Sequence, residues 1–237
     1  MELIIVIIIV FFFILLKLDL ALVFKILFSQ RQAKIIIIDG AIGVGKSTLI
    51  AYLSDFLKNK GYKVYYEEEI ILQDNFLKDF LYSDINNGSI EKYSFHMQHQ
   101  LILMYRLIYE KIKSIQQNYD FIILDRSHES TKIFAMLNIK DQKELKYLNE
   151  QIDKIDNFKY DFVFYVYSSI NNMLIRQKKR QRKEEEEINQ DYLIKIYNLF
   201  EENYKKLYPK KCFEISTDFK IEEYNEKILD NIFKIIK

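Results

Sequence analysis

Residues 34–48 read KIIIIDGAIGVGKST: a continuous apolar run, a glycine-studded turn and a lysine–serine pair. The run is β-branched and unbroken, the pattern of a strand covered on both faces. Gly40-Ala-Ile-Gly-Val-Gly-Lys46-Ser47 then satisfies GxxxxGK[ST] where that strand must hand over to a helix. Glycines let backbone N–H groups wrap a phosphate, and the helix N-terminus adds partial positive charge. Three of the chain's five glycines fall between Gly40 and Gly45. The stretch predicts a nucleoside triphosphate site built from Gly40, Ala41, Ile42, Gly43, Val44, Gly45, Lys46, Ser47 and Thr48. Lys46 would bridge the β- and γ-phosphates, with the Ser47 hydroxyl on Mg²⁺.

The remainder of the 237 residues continues that alternation. Apolar runs at Lys63–Glu67, Asp120–Asp125, Asp161–Val166 and Cys212–Ser216 read as further buried strands. Helical stretches are expected at Lys46–Lys60, Ile90–Gln117, Asp141–Asn157, Asn189–Tyr208 and Glu222–Ile236. The expectation is an α/β sandwich with a central five-stranded parallel sheet. The length suits one such domain, placed at 31–237. The 35 basic and 34 acidic residues leave a net charge of +1, which argues against a nucleic-acid binder. A single cysteine, Cys212, excludes a disulfide framework and a cysteine-rich zinc site.

Residues 1–30 differ in character. Leu3–Leu16 is wholly apolar, and Lys17, Asp19 and Lys25 alone interrupt the run to Phe28. Glu2 stands where a signal peptide would carry basic residues. Lys17, Lys25, Arg31 and Lys34 follow the run, which would keep the downstream domain cytoplasmic. We read residues 3–28 as a candidate membrane anchor.

Four features narrow the chemistry. Glu67-Glu68-Glu69 ends the second strand at the sheet edge where ligands of open α/β sheets bind, and a carboxylate there can take a proton from an attacking hydroxyl. Asp125 ends the third strand in a common Mg²⁺ position, and Arg126 beside it suits a phosphate or developing charge. Arg176, Arg180 and Arg182 follow the fourth strand as an arginine-rich lid over ATP. The chain has six arginines against twenty-nine lysines, so their clustering argues for planar phosphate contacts that lysine cannot make. Gln98, early in the long helix, offers a donor and an acceptor to a base edge. His96, His99 and His128 are too scattered for a metal site.

This set resembles the deoxynucleoside kinase family of P-loop kinases, the deoxycytidine, deoxyguanosine and mitochondrial thymidine kinases with their bacterial and viral relatives. The resemblance spans residues 33–237. It rests on DGAIGVGKST, on YEE at Tyr66–Glu68, on Tyr82 with YSFHMQ at Tyr93–Gln98, on LDRS at Leu124–Ser127, and on RQKKRQRKEEEEINQDYL at Arg176–Leu193. It implies ATP with Mg²⁺, a deoxynucleoside acceptor and a homodimer. Glu67 would be the general base; the family has Glu-Pro there and this chain Glu-Glu, so Glu68 stays open. Arg126 would contact the 5′-oxygen, and Asp125 replaces a glutamate that reaches Mg²⁺. Tyr82 and Glu185 would hold the 3′-hydroxyl, Gln98 would read the base, and Arg180 would stack on adenine. Asp218-Phe219 would form the adenine-side loop. Tyr105 and Thr131 occupy positions that tune base choice, and Met97 replaces a frequent phenylalanine. Two alternatives remain: a nucleoside monophosphate kinase of the thymidylate kinase type, and a catalytically idle, membrane-tethered nucleotide binder.

Overall fold

The computed structural model describes residues 2–15, 32–70, 90–155, 158–180, 188–209, 212–218 and 227–237. It divides into two compact units, Met1–Gln32 and Ala33–Lys237. In the first, helix α1 (Glu2–Leu15) has fourteen residues, and Ile5, Val6, Ile7, Ile9, Phe11 and Phe12 are exposed. Among the described residues no helix is long and apolar enough to cross a membrane. Residues 16–31, the rest of the candidate anchor, lie outside the description.

In the second unit a five-stranded parallel sheet has the order β2-β3-β1-β4-β5. The strands are β1 (Lys34–Asp39), β2 (Val64–Glu67), β3 (Phe121–Asp125), β4 (Phe162–Tyr167) and β5 (Cys212–Ser216). Each lies within a residue or so of its expected range. Alternation divides the isoleucine run between two cores. Ile36 and Ile38 pack on one face with Leu49, Leu53, Ile196 and Phe200, while Ile35 and Ile37 pack on the other with Ile102, Tyr109, Leu148 and Ile152. A strand flanked by helices on both sides therefore needs apolar residues at every position, and β1 supplies them.

The helices of this unit are α2 (Lys46–Asn59), α3 (Ile90–Ile115), α4 (His128–Asn138), α5 (Gln142–Asp153), α6 (Ile170–Lys179), α7 (Gln190–Leu207) and α8 (Lys227–Ile236). The sequence reading omitted α4 and α6 as separate helices. Each carries a start signal: Ser127 Oγ accepts from Glu129 N, and Ser169 Oγ accepts from Asn172 N. Strand order reverses at β1, between β3 on one side and β4 on the other. The crevice beyond the carboxyl end of β1 is thus the binding position this topology creates.

Candidate active site

The loop leaving β1 turns on glycine. Gly40, Gly43 and Gly45 have φ of 150°, 82° and 102°. A Cβ on Gly40 would lie 2.1 Å from the Val166 carbonyl oxygen, so β4 itself excludes a side chain there. Gly45 caps α2 in the left-handed conformation, and the helix opens with Lys46, Ser47 and Thr48. Ser47 and Thr48 are exposed, whereas Lys46 is 5% exposed and donates from Nζ to the Ala41 carbonyl at 3.0 Å. Burial and then the Arg126 charge lower the Lys46 pKa to about 8, against the pull of Asp125, Glu69 and Asp39.

Arg126 is the centre of the site. It is 5% exposed and holds φ of 70°, a left-handed backbone uncommon for a non-glycine residue. Its Nε donates to Glu69 Oε1 at 2.5 Å, and its Nη1 donates to the Gly40 carbonyl at 2.7 Å and to Asp39 Oδ1 at 3.2 Å. The rings of Phe134 and Phe200 lie 5.3 and 5.6 Å from the guanidinium carbon. Burial works against its charge, but Glu69, Asp39 and Asp125 together leave its pKa raised.

Asp125 is also buried, and neither carboxylate oxygen has a hydrogen-bond partner. Burial and the Glu69 charge push its pKa up to about 6, while Lys46 and Arg126 oppose them. Among the described residues no group of three or more histidine, cysteine or carboxylate donors could hold a metal. An unpartnered carboxylate at the end of β3, with an exposed serine opening the helix after the phosphate loop, suits Mg²⁺, which keeps waters and takes most of its other ligands from phosphates. These residues therefore fit the ion.

The acidic run separates into different environments. Glu67 is buried at the end of β2, where its Oε2 accepts from Tyr65 OH at 2.6 Å and from Lys111 Nζ on α3 at 2.8 Å. Glu68 is exposed, and Glu69 is the one that meets Arg126. A small recess is lined by Glu67, Glu68, Tyr105, Leu124, Asp125 and Arg126 among others. Gln98 on α3 is 2% exposed, and its Oε1 has no hydrogen-bond partner. Thr131 is buried on α4.

The lid residues are brought together only in part. Arg176 is half-buried and donates from Nη1 to the Val44 carbonyl at 3.2 Å and to Thr217 Oγ1 at 2.8 Å, tying the phosphate loop to the end of β5. Arg180 follows α6 as its C-cap residue. Arg182, Glu185, Tyr82 and Phe219 lie outside the described residues. Asp218 accepts from Ser169 N at 2.8 Å and from Asn172 Nδ2 at 2.8 Å, and so caps α6.

Sequence reasoning missed Asp39, Lys111, Tyr208 and Thr217, and placed Glu69 in the acidic run without a role of its own. Asp39 had a signal: it ends a strand that is otherwise apolar, immediately before the first glycine. It is 0% exposed and accepts from Gly40 N at 2.8 Å and Tyr208 OH at 2.6 Å, and burial raises its pKa. Tyr208 had none, since 169 residues separate it from Asp39.

Comparison with known proteins agrees with this geometry. Residues 36–237 match the family model for deoxynucleoside kinases. A probable deoxycytidine kinase of Fowlpox virus is 31% identical over 218 residues, covering 86% of this chain and 88% of its own. The deoxyadenosine kinase of Lactobacillus acidophilus is 26% identical over 189 residues, covering 72% of this chain and 81% of its own. Among solved structures, the deoxyadenosine kinase of M. mycoides with products dCMP and a flexible dCDP bound superposes with a TM-score of 0.67 at 25% identity, covering 84% of this chain and 99% of that one. With the family model matching most of its length, the chain belongs to the deoxynucleoside kinase family and is an ATP-dependent kinase of deoxynucleosides.

Proposed function

We propose that the γ-phosphoryl group of ATP passes in line to the 5′-hydroxyl of a deoxynucleoside above the carboxyl ends of β1 and β3. The bond from the 5′-oxygen to the γ-phosphorus forms as the bond to the β-bridging oxygen breaks, ADP leaves, and a carboxylate takes the hydroxyl proton. Gly40–Thr48 cradle the triphosphate, and Lys46 balances its charge. Ser47 and Asp125 would hold Mg²⁺, which when bound neutralises phosphate charge. Arg176, Arg180 and Arg182 close over the donor. Gln98 reads the base, and Tyr82 with Glu185 takes the 3′-hydroxyl.

The observation that carries this reading is Arg126, fixed against the first carbonyl of the phosphate loop with Glu69 on its other edge. A cation braced on both sides is preorganised for charge that develops between donor and acceptor. We take Glu69, in place of Glu67, as the base that removes the hydroxyl proton. Glu67 Oε2 accepts from Tyr65 and Lys111, whereas Glu69 pairs with Arg126, the group that would meet the 5′-oxygen.

The test is a transfer assay with ATP and each deoxynucleoside or deoxynucleoside monophosphate as acceptor. Turnover with a deoxynucleoside is expected; turnover with monophosphates alone would contradict the reading. Two finer parts follow from the sequence: a homodimer, by family resemblance, and a cytoplasmic catalytic unit with membrane contact through residues 3–28. Sedimentation equilibrium and carbonate extraction of membranes test them.

A further inference from the structure

We infer that Tyr208 is a positioning residue for phosphoryl transfer: its hydroxyl bridges Asp39 and Ser127, and through both of them it holds Arg126 in its working pose. This rests on the role proposed above for Arg126.

Tyr208 is placed by the sequence around it. It follows α7 directly and precedes Pro209, the only proline in the chain. Proline disfavours helical backbone in the residue before it, and Tyr208 leaves the helix with φ of −123° and ψ of 71°. Its side chain is 1% exposed. The hydroxyl lies 2.6 Å from Asp39 Oδ2 and 2.7 Å from Ser127 Oγ.

Donor accounting fixes the direction of these bonds. An ionised Asp39 only accepts, so the single phenolic proton goes to Oδ2 and Ser127 donates to the phenol. The other Asp39 oxygen then takes Gly40 N at 2.8 Å and Arg126 Nη1 at 3.2 Å. Ser127 Oγ also accepts from Glu129 N at 3.2 Å, which starts α4. The phenol therefore touches Arg126 from two directions, through the carboxylate that meets its guanidinium and through the next residue in the chain.

That second contact matters because Arg126 has φ of 70°. Such a backbone persists only where its surroundings over-determine it. The bonds made by Asp39, Ser127 and the Gly40 carbonyl are that over-determination, and Tyr208 joins the first two. Phe200 of the same helix covers the guanidinium at 5.6 Å, so α7 contributes to the pose at both points.

The experiment uses the full chain with ATP and the deoxynucleoside it phosphorylates, comparing Tyr208→Phe, Arg126→Lys and the double variant. Calorimetry with ATP gives binding sites per chain, so kcat is expressed per competent site. The expected result is a loss of roughly tenfold in kcat for Tyr208→Phe, ATP affinity within threefold of wild type, and no further loss when Tyr208→Phe is added to Arg126→Lys. A merely structural role would lower the melting temperature and the site count while leaving kcat per site intact, and that outcome overturns the inference. So does a Tyr208→Phe loss that multiplies with the Arg126→Lys loss. If Tyr208→Phe does not fold, Asp39→Asn replaces it in the same cycle with the same two criteria. Unchanged kcat in Arg126→Lys would instead overturn the role of Arg126 itself.

Discussion

Glu69 Oε1 accepts a hydrogen bond from Arg126 Nε at 2.5 Å. Two positions earlier, Glu67 gives its carboxylate to Lys111 and Tyr65 instead. Strand β2 ends at Glu67, so strict alternation stops there and Glu69 is free of the strand's parity. The acidic run thereby places one carboxylate against helix α3 and another against the arginine that follows β3. That division underlies the chemistry proposed for the site.

Asp125→Asn separates stability from function. A carboxyl whose folded pKa is raised to about 6 weakens the fold wherever it is ionised, so in the Mg²⁺-free protein the Asp125 contribution to stability, read as the difference between wild type and the variant, should become more favourable as pH falls from about 6 toward 3.8. The amide removes that charge. Denaturation at pH 7.5 without Mg²⁺ should show the variant more stable by on the order of 1–2 kcal/mol. Its Mg²⁺ requirement for half-maximal rate should rise about tenfold or more. A destabilised variant with an unchanged Mg²⁺ requirement would contradict both statements.

His128 sets an acid limit on the fold. It is 2% exposed, lies 2.7 Å from Tyr109 OH through Nδ1, and burial with the Lys132 charge lowers its pKa to about 3. Between pH 6.5 and 3 the unfolded chain binds a proton there that the native state does not, so stability falls as pH falls. Comparing denaturation at pH 7 and pH 5, wild type should lose about 2 kcal/mol more than His128→Asn. Equal losses would place the titrating group elsewhere.

Two glycines with positive φ should respond differently to alanine. At Gly40 the new Cβ would meet the Val166 carbonyl at 2.1 Å, whereas at Gly61, with φ of 87°, nothing lies within 4 Å. Gly61→Ala should cost only about 1–2 kcal/mol of stability and leave the transfer rate intact. Gly40→Ala should abolish ATP binding measured by calorimetry. Retained binding would mean that the loop tolerates a shift of β4.

The fold was legible because its signals are local. Ile35–Ile38 announce a strand covered on both faces, and Gly40–Ser47 name both the turn and its ligand. Asp125 and Arg126 were legible for the same reason, since they end an apolar strand at the ligand edge. What escaped was long-range. Nothing near Tyr208 indicates that it closes on Asp39, and nothing in Glu67-Glu68-Glu69 says which carboxylate the chain turns toward Arg126. Helices α4 and α6 escaped because their apolar periodicity is interrupted by buried polar residues, among them His128, Ser130 and Gln177.

The most direct measurement is the single-turnover rate of phosphoryl transfer from ATP to a deoxynucleoside by Glu69→Gln, set beside Glu67→Gln and Glu68→Gln. An amide keeps a hydrogen-bonding oxygen but cannot take the proton, a difference worth about 10²–10⁴-fold in rate. The expected result is a loss of that size for Glu69→Gln with ATP affinity retained, and a smaller loss for the other two. A Glu69→Gln enzyme at wild-type rate, with the loss falling on Glu67→Gln or Glu68→Gln, would contradict it.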